Sequence, residues 1–232
     1  MKFAITIPTY KRLDGTTPQY LTRALNSIIN QSYQDYKVFL IGDAYDDNDE
    51  FIQLATSMIP NDKLYYENLP VAIERNKYNI SSRELWCSGG VNSRNHAIDL
   101  VLQDNLEYVC PLDHDDYWHP THLEQIMRVI QFDPDTSFVY TCSTYFDTHL
   151  PTVELSNNIT HSIPQPGGVI HSSTCINYKK IPLMYRDVFA ETGIIEPSDA
   201  DLWRRLGSYI IQHNLSSYLV SSLTCFHPKE NQ

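Results

Sequence analysis

The sequence predicts an α/β fold built around a mainly parallel sheet. Over the first 140 residues, short apolar runs that suit strands alternate with amphipathic segments that suit helices. This alternation is typical of parallel strands joined by right-handed helical crossovers. A chain of 232 residues can bury a substantial core without dividing. We therefore expect one domain over residues 1–232.

Residue periodicity predicts the elements of this first part. Residues 2–8 suit a strand, and Thr17-Pro18 provides a helix N-cap followed by proline at the first helical position. The apolar residues that follow have the spacing of an amphipathic helix: Leu21, Ala24, Leu25, Ile28 and Ile29. The later predicted elements are strands at 37–42, 63–67, 107–112 and 137–141, and helices at 48–58, 93–102 and 120–131.

The remaining stretches are less regular. Residues 69–92 have no clear period and contain Gly89-Gly90, so we expect a long binding loop there. Residues 143–166 are polar with several prolines. The last predicted elements are a strand at 167–178, a helix at 198–213 and a strand at 217–226.

The charge balance restricts the partners. The chain has a formal charge of −11 and no basic stripe, which argues against a nucleic acid or an anionic membrane as partner. No apolar run is long enough for a signal or a membrane span, so we expect a soluble cytoplasmic protein that could still bind peripherally at a membrane. The five cysteines form no C-x-x-C pair, which favours reduced thiols. The sequence does not indicate an oligomeric state.

Polar residues follow three of the predicted strands. They are Thr9-Tyr10, Asp43 and the cluster Asp113-His114-Asp115-Asp116. Ligands of open parallel sheets bind beyond the carboxyl ends of the strands, so these residues should meet in one crevice.

The acidic cluster has two interpretations. Neighbouring carboxylates repel one another unless a cation compensates, and Mg²⁺ or Mn²⁺ prefers such oxygen ligands while leaving positions for water and phosphates. The spacing of Asp113 and Asp115 suits this role. A solvated acidic loop that caps the next helix would look the same, and the cluster alone does not decide between the two.

Seven segments, in order along nearly the whole chain, resemble motifs of the family 2 glycosyltransferases with the GT-A fold. Leu112-Asp113-His114-Asp115-Asp116 with Pro120 matches the DxD-type motif L-D-x-D-D. Leu40-Ile41-Gly42-Asp43 lies where members usually have V-D-D, so the first aspartate is absent. The other segments are Ile5–Arg12 at the first strand, Ser27–Tyr33 at a helix end, Ser93–Ala97 at a helix start, Asp199–Leu206, which resembles D-x-D-L-W-x-R-L, and Cys225–Pro228.

The resemblance implies an inverting, metal-dependent transfer. A nucleoside-diphosphate sugar would be the donor, UDP-linked in the first instance, and a glycan or small-molecule hydroxyl the acceptor. Because Gly42 replaces an aspartate, a thymine or guanine nucleotide stays open. Residues 1–116 would form the nucleotide-sugar-binding part and residues 117–232 a smaller, antiparallel acceptor part with the catalytic base.

The resemblance also implies roles for individual residues. Pro8, Thr9 and Tyr10 would line the nucleoside pocket, and Asp43 would accept a hydrogen bond from the base. Arg12 and Arg94 would approach the diphosphate. His114 would lie within the donor site without binding metal. Asp115 would be the main ligand of Mn²⁺ or Mg²⁺, Asp113 would lie near the ribose or metal-bound water, and His227 would be a further ligand.

Asp199 would be the general base. Ser198 and Asp201 resemble a capping box, so Asp199 could instead serve only the helix dipole. However, Asp199 shares a helical face with Leu202 and Leu206, which turns its carboxylate towards the core side and favours catalysis.

Two other functions stay open. A nucleotidyltransferase would need a glycine-rich phosphate loop, but residues 9–17 hold a single glycine. A cation-dependent binding module without catalysis would not release nucleoside diphosphate from a donor. Trp86, Tyr145, Phe146, His171 and Tyr178 could line the acceptor site, although each could equally serve packing.

Overall fold

The computed structural model describes residues 1–228, and the strands within this range form a ten-stranded sheet. The strands are β1 (Phe3–Thr9), β2 (Tyr36–Gly42), β3 (Leu64–Asn68), β4 (Tyr108–Pro111), β5 (Tyr117–Trp118), β6 (Thr136–Tyr145), β7 (Thr148–Leu150), β8 (Ile159–His161), β9 (Thr174–Asn177) and β10 (Ser216–Phe226). The helices are α1 (Thr17–Ile29), α2 (Asn48–Thr56), α3 (Ile73–Lys77), α4 (Arg83–Ser88), α5 (Val91–Gln103), α6 (His122–Phe132), α7 (Val188–Thr192) and α8 (Ser198–His213).

The main path of the sheet runs β3-β2-β1-β4-β9-β6-β10-β5. The first four strands are parallel to one another, as are β6 and β10. Strand β9 lies antiparallel between β4 and β6, and the short strands β5, β7 and β8 also pair antiparallel. This arrangement confirms the predicted α/β fold, with its mainly parallel sheet and its smaller antiparallel part.

The two faces of the sheet carry separate parts of the core. Alternate side chains of β1 point to opposite faces, as the two-residue period of a strand requires. Phe3, Ile5 and Ile7 pack with the apolar stripes of α1 and α6. Ala4 faces the other way, into the cluster that includes residues of α5 and α8. The predicted helices are therefore amphipathic because each covers one face of the sheet.

The start of α1 differs from the prediction. The N-cap is Thr16, whose side chain makes no capping hydrogen bond, and proline follows in the first turn. The Thr17 hydroxyl instead accepts a hydrogen bond from the Arg12 amide at 2.9 Å and donates to the Tyr10 carbonyl at 3.0 Å. Thr17 is therefore buried inside the helix start and fixes the loop that follows β1.

Two other stretches also differ from prediction. Residues 69–92 contain the short helices α3 and α4, and α5 begins two residues earlier than predicted. The predicted strand at 167–178 is limited to β9, because a 3-10 helix, His171–Ser173, precedes it. None of the helices within residues 1–228 is long and apolar enough to cross a membrane.

Candidate functional site

The carboxyl ends of β1, β2 and β4 lie side by side. The Asp43 amide donates to the Thr9 carbonyl at 2.7 Å, and the Leu112 amide donates to the Thr6 carbonyl at 2.9 Å. These backbone bonds bring together the three segments that the sequence predicted to meet. Pro8 lies within β1 opposite Ile41, one residue before this edge.

Asp43 is buried and held by an arginine that the sequence analysis did not identify. Arg75 Nε lies 3.2 Å from Asp43 Oδ2, and the same guanidinium lies 5.3 Å from the centre of the Tyr10 ring. Asp43 Oδ1 and the Thr9 hydroxyl are buried and have no hydrogen-bond partner among the described residues. Burial raises the pKa of Asp43, although the charge of Arg75 opposes the shift. One carboxylate oxygen is thus left to accept a hydrogen bond.

The structure explains why Gly42 replaces an aspartate. A Cβ atom at this position would lie 2.5 Å from Asn68 Oδ1, closer than van der Waals contact allows. Asn68 cannot easily move, because Oδ1 accepts from the Tyr45 amide at 2.8 Å and Nδ2 donates to the Tyr45 carbonyl at 3.0 Å. The side chain of Asn68 therefore occupies the space that any residue larger than glycine would need.

The Asp113 carboxylate has a basic side chain close to each of its oxygens. Arg94 Nη2 lies 3.1 Å from Oδ1, and His171 Nδ1 lies 3.1 Å from Oδ2. The Asp113 amide donates to the Ser172 hydroxyl at 2.9 Å. Burial alone would raise the pKa of Asp113, but His171 and Arg94 hold it well below its usual value. Asp113 is therefore an anchored, ionised group.

Asp115 and His114 point to different neighbours. The Asp115 carboxylate is half-buried, and its Oδ2 lies 3.5 Å from Arg12 Nη1. Arg23 donates to the Asp115 carbonyl. The His114 ring is buried edge-on against the Tyr10 ring, with centres 5.5 Å apart. The Asp115 carboxylate thus pairs with an arginine of the loop after β1, whereas His114 packs against the Tyr10 ring.

His227 is bound to the last residue of the acidic cluster. Its Nδ1 lies 2.8 Å from Asp116 Oδ1, and its amide donates to the Thr144 hydroxyl at 2.8 Å. The hydrogen bond to Asp116 raises the pKa of His227 to about 9, and burial raises that of Asp116 to about 6. Because Nδ1 is engaged, Nε2 is the ring nitrogen that remains for another ligand, and it could bind a cation only after losing the proton that this raised pKa retains at neutral pH.

These groups do not form a closed metal site. Within residues 1–228, no three His, Cys, Asp or Glu side chains are arranged to hold a metal ion together. A cation on a diphosphate usually keeps several waters and takes only one or two protein ligands. Asp115 offers a half-buried carboxylate, and His227 offers Nε2 once a cation has displaced its proton, so their chemistry fits such a cation.

Asp199 lies in the first turn of α8 and is half-buried, whereas Leu202, Trp203 and Leu206 are buried in the core. The predicted capping box is wrong, since the N-cap is Pro197 and no side chain caps the helix. Asp199 Oδ1 instead accepts from the next amide, that of Ala200, at 2.8 Å.

Asp201 has a different structural role. Its fully buried carboxylate binds Arg186 Nη2 and Arg205 Nε, each at 2.7 Å. Arg205 also donates to the Met184 carbonyl at 2.7 Å. Asp201 thereby fixes the segment before α7 against α8.

Arg94 links the acidic cluster to α8. Besides Asp113, its guanidinium contacts the Gly89 carbonyl at 3.2 Å and the Ser198 hydroxyl at 3.5 Å. The residue next to Ser198 is Asp199. The structure thus brings the predicted base close to the predicted diphosphate-binding residues, although they are about a hundred positions apart in sequence.

The predicted acceptor-side residues separate into two groups. His171 and Tyr178 are buried, and His171 Nε2 lies 2.7 Å from the Tyr185 hydroxyl. Tyr145 stacks on His227 with ring centres 6.1 Å apart. Trp86 and Phe146 are exposed. The exposed residues could meet a large ligand directly, whereas His171 and Tyr178 serve packing.

Comparisons of the sequence with a family model and with known proteins agree on one family. The model described as Glycosyl transferase family 2 matches residues 4–192. "Uncharacterized glycosyltransferase R139" of Acanthamoeba polyphaga mimivirus is 33% identical over 238 residues, which span 99% of this chain and 95% of the viral protein. "Amylovoran biosynthesis glycosyltransferase AmsB" of Erwinia amylovora is 25% identical over 131 residues, 56% of this chain and 36% of that protein.

The fold also matches solved structures. The crystal structure of S. aureus TarS 1-349 in complex with UDP-GlcNAc superposes with a TM-score of 0.70 at 14% identity. The match covers 100% of this chain and 60% of the TarS chain, so this chain spans a little over half of the TarS fragment.

Proposed function

The chain belongs to glycosyltransferase family 2, and from this premise we propose that it transfers a sugar, with inversion, from a UDP-linked donor to a hydroxyl group of a glycan or small-molecule acceptor. The observation that carries the proposal is the position of Arg94, which contacts both Asp113 and Ser198. One guanidinium thus joins the donor-side carboxylates to the helix that bears Asp199. Family membership favours this reaction over the two alternatives of a nucleotidyltransferase and a binding module.

The nucleoside would bind at the ends of β1 and β2. Asp43 Oδ1 and the Thr9 hydroxyl are buried groups without partners among residues 1–228, so a ligand that bonds to them would remove an energetic cost. Uracil has an imide N–H that suits the free carboxylate oxygen. The Tyr10 ring, with Arg75 against it, would provide a wall for the base. The TarS complex with UDP-GlcNAc supports the choice of a uridine nucleotide.

The diphosphate would lie between Arg12, Arg94 and the acidic cluster. Asp115 and His227 Nε2 would hold Mn²⁺ or Mg²⁺, and Asp113 would anchor the ribose side. When bound, such a cation neutralises charge that develops on the departing diphosphate. Arg12 pairs with Asp115 here, so this arginine can turn to the phosphates once a cation satisfies the carboxylate.

Asp199 would remove the proton of the acceptor hydroxyl. The oxygen of that hydroxyl attacks the anomeric carbon on the face opposite the leaving diphosphate, and a single displacement inverts the configuration. The half-buried carboxylate has one oxygen bound to the Ala200 amide and the other available for this proton. A positioned base of this kind contributes about 10²–10⁴-fold to the rate.

The substitution Asp199→Asn tests the proposal. Asparagine keeps an oxygen for the Ala200 amide but cannot take a proton, so helix and donor binding should be preserved. We expect release of UDP from a panel of UDP-sugars, with saccharide acceptors and Mn²⁺, to fall by about 10²–10⁴-fold. The thermal shift produced by UDP should remain.

Full turnover in Asp199→Asn would remove Asp199 from its role. NMR of the wild-type product supplies an independent result, because an α-linked product from an α-linked donor is incompatible with single displacement. If the wild-type protein binds UDP but never releases it from a donor, a binding module is the better interpretation.

A further inference from the structure

Trp86 is unusual among the three tryptophans of the chain. Its side chain is 67% exposed, whereas Trp118 and Trp203 are 2% and 1% exposed. Within residues 1–228, it has no aromatic, cation-π or side-chain hydrogen-bond contact that would explain its position. Exposure of so large an apolar ring is unfavourable unless a ligand covers it.

Helix α4, which bears Trp86, lies beside the candidate base. Gly89 follows Trp86 by three residues, and its carbonyl contacts the Arg94 guanidinium that also reaches Ser198. The next residue after Trp86, Cys87, is buried, and burial raises the pKa of its thiol; the charge of Arg83 opposes this shift, and that of Asp199 adds to it. The exposed indole therefore belongs to a short helix whose end meets the same guanidinium as the start of α8, which bears Asp199.

The chemistry around the ring suits a saccharide. Arg83 precedes Trp86 by three residues in the same short helix, so it lies on the same side and offers a polar partner next to an apolar face. A pyranose presents C–H groups on one face and hydroxyls at its edge, so it can use both. An anionic membrane is a poorer partner because the chain carries a formal charge of −11.

Building on the proposed function, we propose that Trp86 is the platform on which a sugar ring of the acceptor stacks, next to Asp199. This residue would select saccharide acceptors over other hydroxyl compounds. It would contribute to acceptor binding only, because the nucleoside and diphosphate are expected at the ends of β1, β2 and β4.

Quenching of tryptophan fluorescence by iodide tests the stacking directly, because iodide quenches only exposed tryptophans and a stacked sugar would shield the ring. The protein is saturated with UDP and Mn²⁺ and titrated with methyl β-glucoside, cellobiose, maltose and N,N′-diacetylchitobiose. We expect at least one saccharide to protect wild-type fluorescence from iodide. Trp86→Phe should lack the iodide-sensitive component and show no protection.

Acceptor kinetics provide the second measurement. With the most protective saccharide as acceptor, Trp86→Ala should raise the acceptor KM by about threefold to tenfold, and Trp86→Phe by less. The donor KM and the slow release of UDP without acceptor should stay unchanged. Phe132→Ala is the matched control, because Phe132 is an equally exposed aromatic residue, 69%, that ends α6 near the amino-terminal end of β6.

Three results would overturn the inference. The first is that none of the saccharides protects the fluorescence from iodide, and the second is that Trp86→Ala and Phe132→Ala have the same acceptor KM. The third is a blue shift of the tryptophan emission that requires Trp86 and occurs with phosphatidylcholine-phosphatidylglycerol vesicles but not with saccharides. The last would assign the ring to a membrane surface. If Trp86→Ala still releases UDP from a donor, the proposed function stands even where this inference fails.

Discussion

Arg94 and Arg75 differ in how well the sequence identified them. Arg94 lies in a helix start that resembles a family motif, so a role in the site could be predicted for it from sequence. Arg75 lies in an aperiodic stretch, and its contact with Asp43 spans 32 residues of sequence. His171 was named only as a candidate for the acceptor site, and its contact with Asp113 was not predicted for the same reason, since the two residues are distant in sequence. A site residue outside a motif is fixed by tertiary contacts that no local pattern encodes.

The substitution Asp115→Ala tests the metal assignment at this scale. A carboxylate that binds the cation should raise the affinity for UDP only when Mn²⁺ is present. We expect calorimetry to show a loss of at least about tenfold in Mn²⁺-dependent UDP affinity. Without Mn²⁺, UDP should bind the variant and the wild type alike.

Asp14→Ala provides the matched control. Asp14 Oδ2 also lies 3.5 Å from Arg12, but on Nε, and the residue is more exposed than Asp115. Removal of either aspartate frees the same arginine, so only the loss of a metal ligand should distinguish them. Equal affinities for Mn²⁺ and UDP in the two variants would contradict the assignment.

At the scale of elements, long periodic segments were predictable and short ones were not. Helices α1 and α8 each present an apolar stripe over several turns, and their extents match the prediction closely. Helices α3 and α4 have only five and six residues, too few for a recognisable period. Tertiary contacts hold them, as when the buried Glu74 carboxylate accepts from the Asn92 amide at 2.9 Å.

Gln31 joins two of these elements and explains one family-like motif. Its Nε2 donates to the carbonyls of Ser27 in α1 and His119 before α6, each at 2.9 Å. Its Oε1 accepts from the Leu123 amide at 3.0 Å. One buried amide therefore satisfies backbone groups at the end of one helix and the start of another.

We expect Gln31→Met to lower the free energy of unfolding by about 2 kcal/mol, because it keeps the volume but leaves the Leu123 amide without an acceptor. Urea denaturation measures this change. Gln34→Met is the control, since Gln34 is exposed and its hydrogen bonds can be replaced by water. Equal losses of unfolding free energy in the two variants would mean that the buried hydrogen bonds of Gln31 stabilise the protein no more than the exposed ones of Gln34.

At the scale of the whole molecule, the sheet joins the proposed donor side to the proposed acceptor side. The parallel order of the first four strands followed from the alternation of strands and helices. The insertion of β9 between β4 and β6 could not be predicted, because it pairs Tyr108 with Asn177 and Phe138 with Ile176 across long sequence separations. These antiparallel pairings carry His171 and Ser172 to the acidic cluster, so the site depends on the least predictable part of the sheet.

A buried histidine links this part of the sheet to α6. His122 is fully buried, its Nδ1 lies 2.8 Å from the Thr224 hydroxyl, and that hydroxyl donates to Thr141 at 2.8 Å. Because the Thr224 proton is used, His122 must donate from Nδ1, which leaves Nε2 unprotonated. Nε2 is buried and has no partner within residues 1–228, so a second proton there would be costly.

This histidine should make the stability of the protein depend on pH. Burial lowers the pKa of His122 to about 3, whereas an unfolded histidine titrates near its usual value of 6.5. The folded state is therefore favoured above pH 6.5, and stability is lost as pH falls from 6.5 towards 3, because only the unfolded state takes up the proton. Between pH 7 and 5.5 the wild type should lose about 1 kcal/mol of its free energy of unfolding through this residue.

His122→Asn keeps a polar group near Thr224 and removes the titration, so urea denaturation of both proteins at the two pH values isolates the effect. The variant will start from a lower stability, since it loses the stacking on Trp118, but its dependence on pH should be weaker by that amount. An equal dependence in both proteins would show that His122 can accept a proton in the folded state without cost.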